Sequence, residues 1–115
     1  MRRLWIAVAL LMFTAVGLAG KAEAQYLDGN KLLRLCESDS QTDQAMCVGY
    51  IMGLDDVTTT YDLWDEMTKR FCVPEDTPNS QLRQVVIDGL RVTYFIDEPA
   101  AGTTAIILQR AFPCD

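Results

Sequence analysis

The feature that most constrains the fold of this 115-residue chain is its set of four cysteines, Cys36, Cys47, Cys72 and Cys114. All four follow an apolar N-terminal segment, and an even number of cysteines in a small exported chain is typical of a disulfide framework. A domain of this size buries only a limited core, so cross-links contribute a large share of its stability. The cysteines therefore predict a small oxidised domain with two disulfides.

The N-terminus has the parts of a secretory signal peptide. Arg2 and Arg3 supply the positive charge, Trp5 to Leu18 is an apolar run, and residues 22–24 match the small-x-small pattern before a cleavage site. The run is shorter than the ~18 residues that span a bilayer, so an uncleaved anchor is the weaker alternative. We predict a signal peptide over residues 1–24 and export to an oxidising compartment such as the bacterial periplasm.

Cleavage is expected between Ala24 and Gln25, which leaves a mature domain over residues 25–115. The full chain has 10 Lys and Arg and 16 Asp and Glu, and the signal peptide contains three of the basic residues and one of the acidic ones. The mature chain therefore has a net charge of about −8. Nucleic acids and anionic membranes bind basic patches, so neither is expected as a partner after cleavage. A basic protein partner is favoured.

Helical periodicity predicts an all-α fold, a small domain of about four helices. No alternating strand pair with a hairpin turn is present, although the apolar run at residues 92–96 also fits a short strand. Asp28 and Ser40 are suited to cap the first two helices. In chain order we predict helices over residues 26–38, from 41 to between 57 and 69, from 78 to about 96, and from 101 to 112.

Two glycines lie four residues apart in the second predicted helix, at Gly49 and Gly53. A glycine inside a helix costs about 1 kcal/mol relative to alanine, so a pair needs a reason. Residues at i and i+4 share a helix face, and their missing side chains would let another helix approach closely. We predict helix close packing at Gly49 and Gly53. The alternative is a core helix that happens to contain glycine.

Four cysteines allow three disulfide connectivities. Cys36 and Cys47 lie on either side of the short turn between the first two predicted helices, whereas Cys72 follows the second helix and Cys114 ends the last. The pairing Cys36–Cys47 with Cys72–Cys114 keeps both bridges at helix ends, and we favour it. A zinc site is the alternative, but the cysteine spacings lack the close C-x₂₋₄-C pairs of such sites, so no metal is predicted.

The available side chains argue against an enzyme. The chain has no histidine, the commonest general base, and its cysteines are expected to be oxidised. We predict no catalytic residue and no cofactor. Asp62, Asp65 and Glu66 are expected to share one helical face, at i, i+3 and i+4. This acidic face is either solvated or a contact patch for a basic partner.

Four segments of the mature chain together resemble a known family, the type VI secretion amidase immunity proteins, also called Rap/Tai immunity proteins. The resemblance rests on the four cysteines and the two glycines and covers nearly the whole mature chain. It implies a Rap/Tai-like immunity domain over residues 25–115. The segments, in order, are G-N-K-L-L-R-L-C (Gly29–Cys36), C-V-G-Y-I-M-G-L-D-D (Cys47–Asp56), F-C-V-P (Phe71–Pro74) and A-F-P-C (Ala111–Cys114).

The resemblance implies a small periplasmic helical protein, usually a homodimer, that binds a peptidoglycan-cleaving amidase and occludes its catalytic cleft. Such amidases are cysteine-histidine hydrolases delivered by a neighbouring cell. Homodimerisation is also indicated by apolar residues that the third helix has beyond one buried stripe: Ile87, Val92, Phe95 and Ile96. Two alternatives stay open, a periplasmic acid-stress protein similar to the small helical chaperones and a structural subunit of an envelope complex.

Overall fold

A computed structural model describes residues 26–115, which form four helices that we number in chain order. They are α1 (Gly29–Glu37), α2 (Gln41–Leu63), α3 (Asn79–Val92) and α4 (Ala100–Ala111). This confirms the predicted all-α class. The described part of the chain has two isolated β-bridges and no strand. None of the four helices combines the length and apolar character of a membrane span. The expected signal peptide and its cleavage position lie outside the described residues.

Side-chain caps begin α1 and α2 at the positions that the sequence predicts. The Asp28 carboxylate accepts from the Lys31 N–H at 2.8 Å, and the Ser40 hydroxyl accepts from the Asp43 N–H at 3.4 Å. The start of α3 differs from the prediction by one residue. Pro78 has ψ 143° and is therefore the cap residue rather than the first helical residue.

Helix α2 is the longest element and continues through a run of three threonines to Leu63. Its 23 residues span about 34 Å at ~1.5 Å per residue. The hydroxyls of residues 58–60 donate to backbone carbonyls about one turn earlier, at 2.8–3.0 Å. These bonds satisfy the hydroxyls within the helix, so the β-branched run does not end it.

The core lies among the four helices, each of which contacts the other three. Helix α2 packs mainly on α1 and much less on α3 and α4, so much of its outer face stays exposed. The apolar residues of the core are Leu32, Cys36, Cys47, Ile51, Phe71, Leu82, Val86, Ile87, Leu90, Ala100, Ile107 and Leu108.

Two disulfides join the ends of the helices in the favoured pairing, which confirms the cysteine prediction. Cys36–Cys47 links α1 to α2, and both of its residues are fully buried. Cys72–Cys114 links the segment after α2 to the residues beyond α4, and Cys72 is exposed. The Cys72 N–H also donates to the Phe112 carbonyl at 2.8 Å. Both ends of α2 are therefore attached to other parts of the domain, one directly and the other through the segment that follows it.

The close packing predicted at Gly49 and Gly53 does not occur among residues 26–115. Both glycines are exposed, and no heavy atom of another described element lies within 4 Å of a Cβ built on either one. The reason is the rotation of α2, which turns Cys47 and Ile51 toward the core and leaves the glycines on the outer face.

Gly89 is instead the glycine at which two helices meet. A Cβ built there would lie 2.5 Å from Cγ2 of Ile107, so α3 and α4 approach closely at this point. Gly29 is similarly restricted, because its Cβ would lie 2.5 Å from the carbonyl oxygen of Ile96. The requirement for glycine is therefore at these two positions rather than in α2.

The substitution Gly89→Ala is expected to destabilise the domain by about 1–3 kcal/mol, although alanine is the better helix former. The side chain of Ile107 is buried and β-branched, so it cannot rotate away from a new methyl group. The matched control is Gly49→Ala, which meets open space and should stabilise α2 by up to about 1 kcal/mol. Urea unfolding followed by circular dichroism measures both effects. A Gly89→Ala domain as stable as the wild type would contradict the prediction.

Candidate functional site

The end of α2 and the turn after it, residues 61–66, form an exposed projection that we call the α2 tip. Helix α2 ends at Leu63, and Asp65 has φ 57°, in the left-handed region. The Glu66 N–H donates to the Tyr61 carbonyl at 2.9 Å, and the Asp65 N–H donates to the Asp62 carbonyl at 3.1 Å. This pair of bonds is a Schellman motif, which satisfies the last carbonyls of the helix and gives the tip a defined backbone.

The structure changes the interpretation of the three acidic residues singled out from the sequence. Asp62 lies in the last turn of α2, but Asp65 and Glu66 lie beyond the helix, so the three do not share a helical face. All three are nevertheless exposed within the α2 tip. One oxygen of Asp62 accepts from the Lys69 N–H at 3.0 Å, so this residue also helps to fold the returning chain.

Exposed apolar side chains lie between these acids, and sequence reasoning missed them. Leu63 is 78 % exposed and Trp64 is 65 % exposed, and the Trp64 ring meets the Tyr61 ring edge-on at 5.8 Å. A large aromatic residue left in water at the end of a helix is typical of a binding surface. The sequence pattern that could have indicated this surface is the apolar pair Leu63-Trp64, which lies between the acids Asp62 and Asp65.

The charge of the α2 tip opposes the dipole of its own helix. The C-terminal end of a helix favours cations, yet the last turn of α2 contains Asp62 and no basic residue. Asp65 and Glu66 add two further negative charges next to that end. A concentration of negative potential around an apolar centre is suited to attract a cationic protein surface.

Lys69 holds the segment that returns from the tip against α2. Its Nζ lies 2.8 Å from Oδ1 of Asp55 and donates to the Thr59 hydroxyl at 2.6 Å. The same ammonium lies 5.8 Å from the centre of the buried Phe71 ring. These contacts leave the Lys69 side chain only 16 % exposed. The tip is thus held at both of its ends, which lowers the entropy lost when it binds.

A second exposed apolar surface runs along the outer side of α4, and we call it the α4 groove. It consists of two adjoining hollows, of about 430 and 210 Å³, that share Ile106. The first hollow is lined by Phe95, Glu98, Pro99, Gly102, Thr103 and Ile106, and the second by Thr58, Met67, Arg70, Phe71, Ala105, Ile106 and Gln109.

The apolar residues in and after the last part of α3 divide between the core and the exposed surface, and of the exposed ones only Phe95 lines the α4 groove. Ile87 is buried, whereas Val92, Tyr94 and Phe95 are exposed. The sequence predicts a third helix that continues to about residue 96, but α3 ends at Val92. Tyr94 therefore lies beyond the helix and is 98 % exposed.

Residues 26–115 contain no group of three or more His, Cys, Asp or Glu side chains that could hold a metal ion. Tyr50 packs against the core, and its burial raises the pKa of its hydroxyl above the usual value, opposed by a hydrogen bond with the backbone of Ala101. What the described surface offers is contact area and charge.

One comparison with known protein families gives a match that covers all four helices of the domain. A family model of the Rap1a immunity proteins matches residues 28–114. The chain belongs to the Rap1a immunity protein family. The matched range begins at the cap of α1 and ends at the last cysteine, so it includes all four helices and both disulfides. No curated protein matches the chain. Membership supports an immunity role, in which the protein binds a partner effector protein.

Proposed function

We propose that this Rap1a immunity protein binds a type VI secretion peptidoglycan amidase in the periplasm and inhibits it by covering its active site. Membership of the immunity family is the observation that carries the proposal. Location in the periplasm is supported by the signal-peptide pattern of residues 1–24 and by two disulfides, which persist in an oxidising compartment. The protein acts as a non-enzymatic inhibitor.

The α2 tip is the surface best suited to enter an enzyme cleft. Trp64 is a large aromatic anchor of the kind that dominates binding energy at interfaces, and Leu63 adds apolar area beside it. The acids Asp62, Asp65 and Glu66 surround this centre and match an amidase whose cleft has a basic rim. The apolar centre would supply affinity, and the acids would supply orientation and rate of association.

Inhibition of this kind needs no chemical step by the inhibitor. A residue that fills the substrate groove excludes the peptide cross-link from the catalytic cysteine and histidine of the amidase. The tip has a defined backbone and an anchored return segment, so little conformational entropy is lost on binding. The disulfides oppose the large opening that an acid-activated chaperone requires, and no observation favours a structural envelope subunit.

The substitution Trp64→Ala is expected to weaken inhibition of the cognate amidase by about 30- to 1000-fold, the effect of losing about 2–4 kcal/mol at an anchor residue. The matched control is Tyr94→Ala, which removes an exposed aromatic ring outside the α2 tip. Inhibition constants are measured against the wall amidases encoded next to this gene, with circular dichroism to verify folding.

The two parts of the proposal fail in different ways. Equal inhibition constants for Trp64→Ala and the wild type would contradict the assignment of the tip but leave the immunity function intact. A purified mature domain that leaves every neighbouring wall amidase active would overturn the function itself. A loss of inhibition in Tyr94→Ala alone would move the contact surface to the region around the end of α3.

We also infer that the protein is a homodimer. The inference is supported by the exposed apolar residues of the α4 groove, because a monomer seldom leaves a continuous apolar surface in water.

A further inference from the structure

We propose that contact with the amidase continues from the α2 tip along α2 to a hollow beside α3, where Arg83 pairs with a carboxylate of the amidase. The inference rests on the proposed function and adds a second contact site to it. We call this space, of about 480 Å³, the α2–α3 hollow. Its lining includes Val48, Gly49 and Met52 of α2 and Asn79, Ser80 and Arg83 of α3.

The α2 tip alone is too small to bind a protein partner stably. Specific interfaces usually involve roughly 20–30 residues on each side, and the tip consists only of residues 61–66. A tight inhibitor therefore needs further surface next to the tip. Helix α2 packs mainly on α1, so much of its outer face is available for such a contact.

The outer face of α2 leads from the tip to the α2–α3 hollow. Met52 and Leu63 lie about three full turns apart, so their side chains project from the same side of the helix. They are 42 % and 78 % exposed, and Gly53 and Asp56, which lie between them, are exposed as well. The distance along α2 from Gly49 to Leu63 is about 21 Å at ~1.5 Å per residue, which one protein partner can cover.

Arg83 gives the α2–α3 hollow a charge opposite to that of the domain. The mature chain is strongly acidic, yet no acidic residue lines the hollow. Arg83 is half-buried and makes no hydrogen bond or ion pair with another described residue. A guanidinium that is unpaired and partly removed from water is suited to a bidentate hydrogen bond with a carboxylate. The side chains of Asn79 and Ser80 add donors beside it.

The remaining lining of the hollow is suited to an apolar side chain. Val48 and Met52 contribute apolar surface, and no heavy atom of another described element lies within 4 Å of a Cβ built on Gly49. The occupant is therefore an acidic residue of the amidase with an apolar neighbour. Arg83 and the acids of the α2 tip lie at opposite ends of this face, so a partner with the reverse order of charges binds in one orientation.

Charge reversal at Arg83 tests the contact with the mature oxidised domain and the purified wall amidases encoded next to this gene. Arg83→Glu should raise the inhibition constant at least tenfold, while stability in urea stays close to the wild-type value because Arg83 has no partner in the described domain to lose. Gly49→Leu fills the open space of the hollow and should also raise the constant at least tenfold. The control is Arg110→Glu, which makes the same change of charge in the last turn of α4 and should inhibit as the wild type does.

Hydrogen exchange provides a readout that needs no variant. The N–H groups of residues 79–81 begin α3 and have no carbonyl partner within the helix, so they should exchange rapidly in the free domain and slowly in the complex with the amidase. Unchanged exchange at these residues would overturn the contact at the hollow, as would wild-type inhibition by both Arg83→Glu and Gly49→Leu. Either result leaves the inhibitory function standing. A wild-type domain that inhibits none of the amidases would overturn the proposed function, and this contact with it.

Discussion

Replacing Cys36 and Cys47 together with alanine is expected to lower the free energy of unfolding of the mature domain by about 3 kcal/mol or more. The disulfide closes a loop with a sequence separation of 11 residues, which is worth about 3 kcal/mol in the chain-entropy account. Both cysteines are fully buried beside Leu32 and Ile51, so two alanines also remove packed sulfur from the core. The whole domain is expected to be stable by only about 5–15 kcal/mol, so the loss is large.

Urea unfolding, followed by circular dichroism at several temperatures, measures this loss. The wild-type domain in excess reductant is the control, since it lacks the bonds but keeps the sulfur atoms in place. The double alanine variant should be less stable than a Cys72→Ala/Cys114→Ala variant treated with the same reductant, because only the first leaves a void among buried side chains. An unfolding midpoint equal to that of the oxidised wild type would contradict the prediction.

The features of this fold that depend on a few neighbouring residues could be predicted from the sequence. Asp28 and Ser40 begin helices because their side chains reach backbone N–H groups three residues away. The Cys36–Cys47 pair follows from two helices joined by a short turn. Each of these depends on local geometry, which the order of residue types determines without knowledge of the packing.

The features that depend on the rotation of a packed helix could not be predicted in the same way. Gly49 and Gly89 are both helical glycines among apolar residues, and the sequence favours Gly49 because Gly53 lies four residues away. Only the packing shows that Gly89 faces α4 while Gly49 faces water. The exposure of Trp64 is a similar case, since an apolar residue at a helix end is ordinarily expected to be buried.

Part of the candidate site could be predicted from the sequence, because three of its residues are acidic and lie close together in the chain. Asp62, Asp65 and Glu66 attracted attention as a group of acids, and the structure places all three in the α2 tip. Their assumed common face depended on a helix that continues beyond residue 63, whereas the left-handed residue Asp65 ends it. Partner binding by these acids stays a prediction, and the exposed Leu63 and Trp64 now supply the apolar centre that the charges alone lacked.

Mild reduction of the native domain is expected to open Cys72–Cys114 and leave Cys36–Cys47 intact. Cys72 is exposed to solvent, whereas Cys36 and Cys47 are fully buried, so an attacking thiolate reaches only one of the two bridges without unfolding the core. The opened bridge spans 42 residues, and its loss is expected to cost about 4 kcal/mol.

The effect of this opening should extend to the α2 tip. Cys72 follows Phe71, which packs beside Lys69, and Lys69 holds the return segment of the tip against α2. Release of Cys72 loosens that segment, so affinity for the proposed amidase partner should fall while the helical content is retained. Timed reduction with dithiothreitol, alkylation and mass spectrometry give the order of opening, and a Cys72→Ser/Cys114→Ser variant provides the matched inhibition constant. If the two bridges opened at the same rate, the accessibility argument would be wrong. If the variant inhibited as tightly as the wild type, the return segment would not depend on this disulfide to hold the tip.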